Sequence, residues 1–420
     1  MRKIRFLNSQ NIDVLIIDES GSEYIKPCIP NYASFTILPV RNDLPFIPSF
    51  GFLFRLLFNI MNIKSLRYAF FFSIVESLKP KVIISFIDNS NDLGILHNQF
   101  PDKLTIAVQN GNRSGRKFPL CALSTYPVSV YYGFGFQVGE LLKDSGINVK
   151  EYVSAGSLIY SLFKKQITIK HDHISGSLHY FNKELKTLNS REMETLVELL
   201  KGPSSHEKKY DICFISSYYD GYYYGQELEI EQQEKIFLSL LKICKEYGFS
   251  LSVALRYESP SLSLRTSNLD TSSKNLNDEI NYFSKMDAEG IAELIPNNYS
   301  FFGGYRLSSN SSVIVSVNST LAFEMFGAGK KTLFGASADN FSLAKLWDSL
   351  GNYNKFPDMN LLDDFNKESM CKKINFLLKI DNNDYLDKTK NARMHYMNNI
   401  DEKSADELIK NRINDLLLKV

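Results

Sequence analysis

The chain has 420 residues, of which 44% are hydrophobic and 23% charged, with a formal net charge of +1. This length predicts two domains, and the near-neutral charge gives no support for nucleic acid as a partner. The five cysteines are scattered without CxxC spacing, which favours buried thiols in a reducing compartment over a disulfide or zinc framework. The first residues contain no long apolar signal segment, so we expect a cytoplasmic protein.

Apolar, β-branched runs alternate with helical patterns in the first part of the chain. The predicted strands are residues 13–18, 35–40, 81–87, 104–108, 130–134 and 152–155, with a helix at 138–145. The run at 81–87 is apolar almost throughout, which is typical of a parallel strand covered on both faces. The alternation predicts a Rossmann-like, acceptor-side domain over residues 1–165.

Residues 46–74 are rich in Phe, Leu and Ile and form the one candidate for membrane contact. Arg55, Lys64 and Arg67 interrupt this segment, so no uncharged run is long enough to span a bilayer. The pattern predicts two amphipathic helices on either side of Asn62 and Lys64. One interpretation is that they cover the first sheet; the other is that a basic, aromatic face rests peripherally on the inner face of the cytoplasmic membrane.

Residues 166–209 are polar and rich in lysine, and we interpret them as a linker region with one helix near 191–201. The alternation then restarts. The predicted strands are 210–215, 249–255, 299–302, 313–317 and 332–334, and the predicted helices are 227–247, 279–286 and 321–328. They predict a second Rossmann-like domain over 210–395, which would bind a nucleotide-sugar. Residues 396–420 are predicted to form a C-terminal helix that crosses back.

The segment SVIVSVNSTLAFEMFGAGKKTLF, residues 312–334, reads as strand, polar turn, helix, strand. In such a unit the turn lies at the carboxyl edge of the sheet, where open α/β sheets bind ligands. Ser319 and Thr320 are expected to cap the helix, whose first N–H groups can hold a phosphate. Glu324 lies about one turn further on and could reach a ribose hydroxyl; an ordinary capped helix with a solvated glutamate is the alternative.

Five predicted strands end in polar residues, which would meet in a cleft between two facing domains with water excluded. We expect Asp88 to deprotonate the attacking hydroxyl or to attack the sugar carbon itself, and Arg256 to stabilise charge on the departing nucleotide. The predicted donor-binding residues are Ser216, Ser217, Asn318, Ser319, Thr320 and Glu324. The predicted acceptor- or sugar-binding residues are Asn89, Gln109, Asn110 and Arg113. No metal or cofactor is expected, since the nucleotide-sugar enters as substrate.

Several motifs resemble bacterial surface carbohydrate biosynthesis proteins: FIDNS at 86–90, AVQNGNR at 107–113, AGSL at 155–158 and YDICFISSY at 210–218. The segment 312–334 is similar to the donor domains of GT-B glycosyltransferases of capsule and O-antigen assembly, in particular Kdo transferases and bacterial sialyltransferases. The resemblance implies two Rossmann-like domains facing across a cleft. It also implies metal-independent transfer of a sugar, such as CMP-linked Kdo or nonulosonate, to a cell-surface polysaccharide, lipopolysaccharide or lipid-linked glycan.

Three other functions are compatible with the same residues. A nucleotide-sugar epimerase would bind a similar donor without an acceptor. A polyol-phosphate transferase of the teichoic type would need a catalytic histidine at a strand end. His97, the only histidine of the predicted first domain, lies within a predicted helix, which counts against this alternative. A scaffold for polysaccharide assembly would keep the fold without turnover.

Overall fold

The computed structural model describes residues 5–6, 11–38, 46–47, 50–63, 65–88, 90–111, 127–144, 146–147, 149–172, 209–218, 227–258, 269–297, 302–335, 355–362, 364–399 and 403–418. The chain divides into two compact units. Among the described residues, the first unit holds those up to Ile159 and those from Met394 onward. The second unit holds those from Tyr160 to Arg393. No helix in these ranges is both long enough and apolar enough to cross a bilayer.

The first unit is built on a parallel sheet. The strands of this unit are β1 (Arg5–Phe6), β2 (Val14–Ile17), β3 (Phe35–Leu38), β4 (Phe46–Ile47), β5 (Val82–Ser85), β6 (Leu104–Val108), β7 (Val128–Gly133) and β8 (Val149–Ser154). Its helices are α1 (Ser22–Ile25), α2 (Phe50–Asn62), α3 (Leu66–Leu78), α4 (Asp92–Gln99) and α5 (Phe136–Asp144), and α6 (Leu158–Asp172) leads into the second unit. Helices α2 and α3 confirm the predicted helical pair.

Six strands pair in the order β3-β2-β5-β6-β7-β8, and every neighbouring pair is parallel. The buried side chains of β2 and β5, including Ile16 opposite Ile84, form the centre of this sheet. The chain order reverses between β2 and β5. This is the topological switch point, and in open α/β sheets ligands bind outside the carboxyl ends of the two strands there.

The second unit contains a sheet of five parallel strands. They are β9 (Tyr210–Ile215), β10 (Leu251–Glu258), β11 (Ala292–Asn297), β12 (Ser311–Ser316) and β13 (Thr332–Phe334). The helices are α7 (Glu227–Tyr247), α8 (Leu269–Met286), α9 (Gly303–Ser309), α10 (Thr320–Gly327) and α11 (Lys367–Lys379). Helix α12 (Asn382–Tyr396) ends at residues of the first unit, to which α13 (Ala405–Leu418) also belongs.

The order of this sheet is β11-β10-β9-β12-β13, which is the Rossmann arrangement 3-2-1-4-5. Its switch point lies between β9 and β12, where Ile215 pairs with Ser316 at the last position of each strand. Burial of Phe214 against Phe237 and Phe283 fixes helices α7 and α8 to one face of the sheet. The carboxyl ends of β9 and β12 are therefore held side by side.

Near its amino edge, each sheet has an aspartate and a serine joined by three reciprocal hydrogen bonds. We call this arrangement the aspartate–serine clasp. In the first unit, the N–H and hydroxyl of Ser34 both donate to Oδ2 of Asp13, and the N–H of Asp13 donates to the Ser34 hydroxyl at 3.0 Å. In the second unit, Ser250 and Asp211 make the same three bonds. The clasp joins the start of β2 to the segment before β3 in the first unit, and the start of β9 to the segment before β10 in the second unit.

The largest difference from the predicted elements lies before β12. The sequence predicts a strand at 299–302, but the strand is β11 at Ala292–Asn297, and Phe302 is the residue immediately before α9, while 298–301 lie outside the described residues. β11 is an edge strand with mostly half-buried residues and a proline, Pro296, so it lacks the apolar run of a central strand. The helix predicted at 279–286 starts ten residues earlier, at Leu269.

Candidate functional site

Asp88 lies just beyond β5, beside the switch point of the first sheet. Its side chain is buried, and the hydroxyl of Tyr131 on β7 donates to Oδ2 at 2.6 Å. The backbone N–H of Asn110, after β6, approaches Oδ1 at 3.3 Å. Ser85 ties this turn to its neighbours, because its hydroxyl donates to the carbonyl of Ile17 at 3.3 Å. Residues of β7, of the end of β2 and of the segment after β6 thus hold the turn and its carboxylate in one position.

Gln109 follows β6 and is 2% exposed. Its Oε1 accepts from the N–H of Phe134 at 2.8 Å, and its Nε2 donates to the carbonyl of Gly111 at 2.8 Å. Both ends of the amide therefore hold backbone of the loops that follow β6 and β7. Asn110 is half-buried and lies at the same edge as Asp88, whereas Asn89 and Arg113 lie outside the described residues.

Two further carboxylates lie at this edge and were not chosen from the sequence. Asp18 follows β2 in the left-handed backbone region, with φ 77°, and its Oδ1 accepts from the N–H of Ser20. Asp92 begins α4, and its Oδ2 accepts from Arg67 at 2.6 Å and from Ser90 at 2.8 Å. Asp18 ends an apolar run as Asp88 does, so the same sequence signal could have selected it.

Ser216 and Ser217 follow β9 at the switch point of the second sheet. The Ser216 hydroxyl donates to Oε1 of Glu279 at 2.6 Å and accepts from the N–H of Tyr218 at 3.0 Å. The N–H of Ser217 donates to the buried Gln233 at 2.6 Å, while the Ser217 Oγ is buried and has no hydrogen-bond partner within the described structure. An unsatisfied hydroxyl at a ligand-binding edge is a group that a bound polar molecule can satisfy.

Glu279 on α8 is fully buried and was not predicted as a site residue. Besides the Ser216 hydroxyl, its carboxylate accepts from the N–H of Arg256 at 2.9 Å and from the N–H of Tyr257 at 3.0 Å. Burial raises the pKa of this carboxyl, and the hydrogen bonds from Arg256, Ser216 and Tyr257 oppose the shift. Glu279 therefore fastens the ends of β9 and β10 to one helix.

Arg256 is positioned by its backbone. The pairing of β10 with β11 shifts register between Ala254 and Glu258, and Glu279 accepts the N–H of Arg256 within this irregular stretch. The guanidinium is exposed, and its Nη1 donates to the carbonyl of Tyr218 at 3.4 Å. A charged side chain on a fixed backbone thus lies at the strand end next to Ser216 and Ser217. The other tyrosines of the 218–224 cluster lie outside the described residues.

Asn318, Ser319 and Thr320 lie across the switch point from Ser216 and Ser217, after β12. Ser319 occupies the N-cap position of α10, but the expected capping bond from its side chain is absent; instead, its N–H donates to the Ser316 hydroxyl at 3.2 Å. The predicted N-cap position is confirmed at Ser319, but a hydrogen bond to the buried serine at the end of the strand takes the place of the expected side-chain capping bond.

Glu324 on α10 is 2% exposed, and its Oε2 accepts from the Tyr305 hydroxyl of α9 at 2.5 Å. The Tyr305 ring packs on Phe163 and Phe302. The carboxylate thus faces α9 and is held there. The alternative interpretation of the sequence, an ordinary capped helix, would place this glutamate in solvent. Its assignment to a ribose hydroxyl stays a prediction.

Comparisons with known proteins identify the fold. No protein-family model matches the chain, and no curated protein matches it significantly. Among solved structures, the UDP-GlcNAc 2-epimerase of Methanocaldococcus jannaschii, in complex with UDP-GlcNAc and UDP, is 12% identical with a TM-score of 0.53, covering 98% of this chain and 100% of that chain. The UDP-N-acetylglucosamine 2-epimerase of Rickettsia bellii is 13% identical with a TM-score of 0.50, covering 98% and 97%.

A variant of the wall teichoic acid polymerase TagF is 12% identical with a TM-score of 0.51, covering 99% of this chain and 92% of that chain. The fold is α/β with two Rossmann-like domains, of the GT-B type. This confirms the predicted fold class, and the neighbours include both epimerases and a polymerase.

Proposed function

We propose that the protein is a glycosyltransferase that moves a sugar from a nucleotide-activated donor to a growing cell-surface polysaccharide or lipid-linked glycan. The observation that carries this proposal is the order of the second sheet, because Ser216 and Ser217 follow one strand of its switch point and Ser319 and Thr320 follow the other. The similar epimerase structure with UDP-GlcNAc and UDP supports a nucleotide-sugar at a fold of this type.

On the donor side, departure of the nucleotide leaves negative charge on phosphate. The amino end of α10, at Ser319 and Thr320, offers N–H groups and the positive end of a helix dipole to that charge. Arg256 contributes a full positive charge at the end of β10, and Glu279 keeps its backbone in place. The unsatisfied hydroxyl of Ser217 would bind a polar group of the nucleotide.

On the acceptor side, Asp88 would take the proton of the attacking hydroxyl. Tyr131 orients its carboxylate from one side and the backbone of Asn110 from another, so the base is positioned before the acceptor arrives. Gln109 shapes the same edge by holding two loops. Asn89 and Arg113, assigned to sugar binding from the sequence, complete the proposed acceptor group.

The finer assignment rests on the resemblance of the segment 312–334 to enzymes that use CMP-activated acids. It supports CMP-linked Kdo or nonulosonate as donor class, and capsule, O-antigen or lipopolysaccharide assembly as the setting. An acceptor in such a pathway carries free hydroxyls, which is what a carboxylate base requires. The proposed reaction uses no metal.

The test incubates the purified protein with CMP-, UDP-, GDP- and CDP-sugars, with and without octyl glycosides of common hexoses and N-acetylhexosamines. We expect one donor to release its nucleotide only when acceptor is present, and Asp88→Asn to abolish that release. Asp102→Asn, at an exposed residue outside the site, is the matched control. Interconversion of the sugar without acceptor would instead identify an epimerase, and nucleotide binding without turnover would identify a scaffold.

A further inference from the structure

Helix α2 places two polar side chains on its inner side, beside the buried Phe52. They lie against α3: Arg55 donates to the Ser77 hydroxyl at 3.2 Å, and Asn59 donates to Ser73 and Glu76, each at 3.0 Å. Asn59 is 5% exposed. The polar groups of Arg55 and Asn59 are therefore satisfied within the helix pair and leave the outer side of α2 to apolar residues.

The outer face of α2 is apolar. Its large exposed apolar residues are Phe50 (92%), Leu53 (41%), Phe54 (72%), Leu57 (63%), Phe58 (57%), Ile60 (38%) and Met61 (77%). At about 100° per residue they occupy an arc of roughly 160°, opposite the inward-facing side. Leu66, 69% exposed at the start of α3, extends the same apolar character to the turn between the helices. Contiguous exposed apolar residues of this kind mark an interaction surface.

The charge of the segment identifies the kind of partner. Between residues 44 and 75 there is no Asp or Glu, while Arg55 and Lys64 contribute two positive charges and a third, Arg67, is paired with Asp92. A second copy of the chain would bring the same positive segment to a symmetric interface, because such an interface pairs a surface with itself. A bilayer with anionic headgroups instead accepts both the apolar face and the positive charges.

We propose that the outer face of α2, with Leu66, binds the surface of a bilayer that carries anionic lipids. With 13 residues, α2 is about 20 Å long, shorter than the hydrocarbon core of about 30 Å, so it lies along the interface with its axis in the plane of the membrane. Phe50, Phe54, Leu57 and Met61 enter the boundary between headgroups and acyl chains. The contact is peripheral and reversible.

The turn between the two helices adjoins the candidate acceptor edge. Arg67, in the first turn of α3, pairs with Asp92 at 2.6 Å, and Asp92 begins the helix that follows the Asp88 turn. The membrane-binding face thus continues toward the carboxyl end of β5. If the proposed function holds, a lipid-linked acceptor would be presented to Asp88 from the same bilayer; the membrane contact itself does not depend on that reaction.

The test measures co-sedimentation of the full chain with vesicles of phosphatidylcholine alone and with phosphatidylglycerol added, at low and high salt. We expect binding to the anionic vesicles that weakens with salt. The variant Phe54→Ser/Leu57→Ser/Met61→Ser should lower the partition coefficient by about 100-fold. The control Leu238→Ser/Tyr247→Ser/Phe376→Ser replaces three exposed apolar residues of the second unit, and its partition coefficient should stay within about twofold of wild type.

Three results would overturn the proposal: wild type that stays in the supernatant with both vesicles, equal binding to neutral and anionic vesicles, or an equal loss in both triple variants. Size-exclusion chromatography with light scattering tests a fourth. A dimer that the α2 variant converts to monomer, without vesicle binding, would make this face an interface between two copies. Nucleotide release is measured separately, so failure of membrane binding and failure of the transferase proposal remain distinguishable.

Discussion

The hydroxyl of Tyr131 donates a 2.6 Å hydrogen bond to Oδ2 of Asp88, so a ring from β7 fixes the carboxylate that follows β5. Both side chains are buried. The carboxylate is therefore oriented in part by a side chain of the sheet itself, two strands away.

We expect Tyr131→Phe to lower the rate of sugar transfer about tenfold, with donor KM unchanged, because Asp88 loses the donor that orients it. The stability loss should be about 1–2 kcal/mol, as for a buried hydrogen bond. The control is Tyr152→Phe, since Tyr152 stacks on Tyr131 and donates to the Gly135 carbonyl at 2.5 Å without contacting Asp88 in the described structure. Urea unfolding and steady-state kinetics measure both effects; equal kinetic losses in the two variants would contradict the role.

Ser217→Ala should separate stability from ligand binding. Removing a buried hydroxyl without a partner should leave the free energy of unfolding unchanged or raise it by up to about 1 kcal/mol. The affinity for the nucleotide that raises Tm should fall about fivefold, the value of one hydrogen bond. Ser316→Ala is the contrasting variant, because Ser316 accepts from the N–H of Ser319 and its loss should destabilise the fold. Unchanged nucleotide affinity in Ser217→Ala would remove Ser217 from the donor site.

Glu279→Gln should change how stability depends on pH. The folded carboxyl has a raised pKa, so above about 4.5 the unfolded chain releases this proton more readily than the folded one. The stability that Glu279 contributes is therefore complete below about 4.5 and is lost as pH rises through the folded pKa. Urea unfolding should show wild type losing its advantage over Glu279→Gln as pH rises above about 4.5. Exposed Glu231→Gln should show no such trend, and a gap that widens with pH would contradict the assignment.

Gly21→Ala should destabilise the first unit through two effects. Gly21 has φ 77°, where a Cβ costs roughly 1–2 kcal/mol, and that Cβ would overlap the ring of Phe86 beside the switch point. Gly146→Ala isolates the first effect, because Gly146 has φ 67° with open space around it. The difference between the two variants in thermal or urea unfolding should be about 2 kcal/mol, the cost of overpacking. Equal losses would show that Phe86 moves aside freely.

The central strands were predictable because their residues are apolar on both faces. β6 and β9 have the predicted bounds, since a run such as Tyr210–Ile215 is ended by polar residues at the edge of the core. The edge strand β13 also has its predicted bounds, because all three of its residues are buried. The edge strand β11 was misplaced because its half-buried residues carry little periodic signal. Helix α12 was not predicted, since its sequence NNDYLDKTKNARMHY is mostly polar.

The site was predictable only as a set of strand ends. Ser216 and Ser319 were chosen because each follows an apolar strand, but the order that makes their strands neighbours involves residues a hundred positions apart. Glu279 was missed for a related reason. Two of its partners, the N–H groups of Arg256 and Tyr257, lie where β10 departs from regular pairing, and a register shift leaves no mark in the residue pattern.

The aspartate–serine clasp occurs in both units although no internal repeat is visible in the sequence. It fastens each sheet at the end remote from Asp88 in one unit and from Ser216 in the other. The hydrogen bonds of the clasp and the residues of the candidate site thus lie at opposite edges of each sheet. Substitutions at the carboxyl edge can therefore change the candidate site while the clasp at the amino edge stays intact.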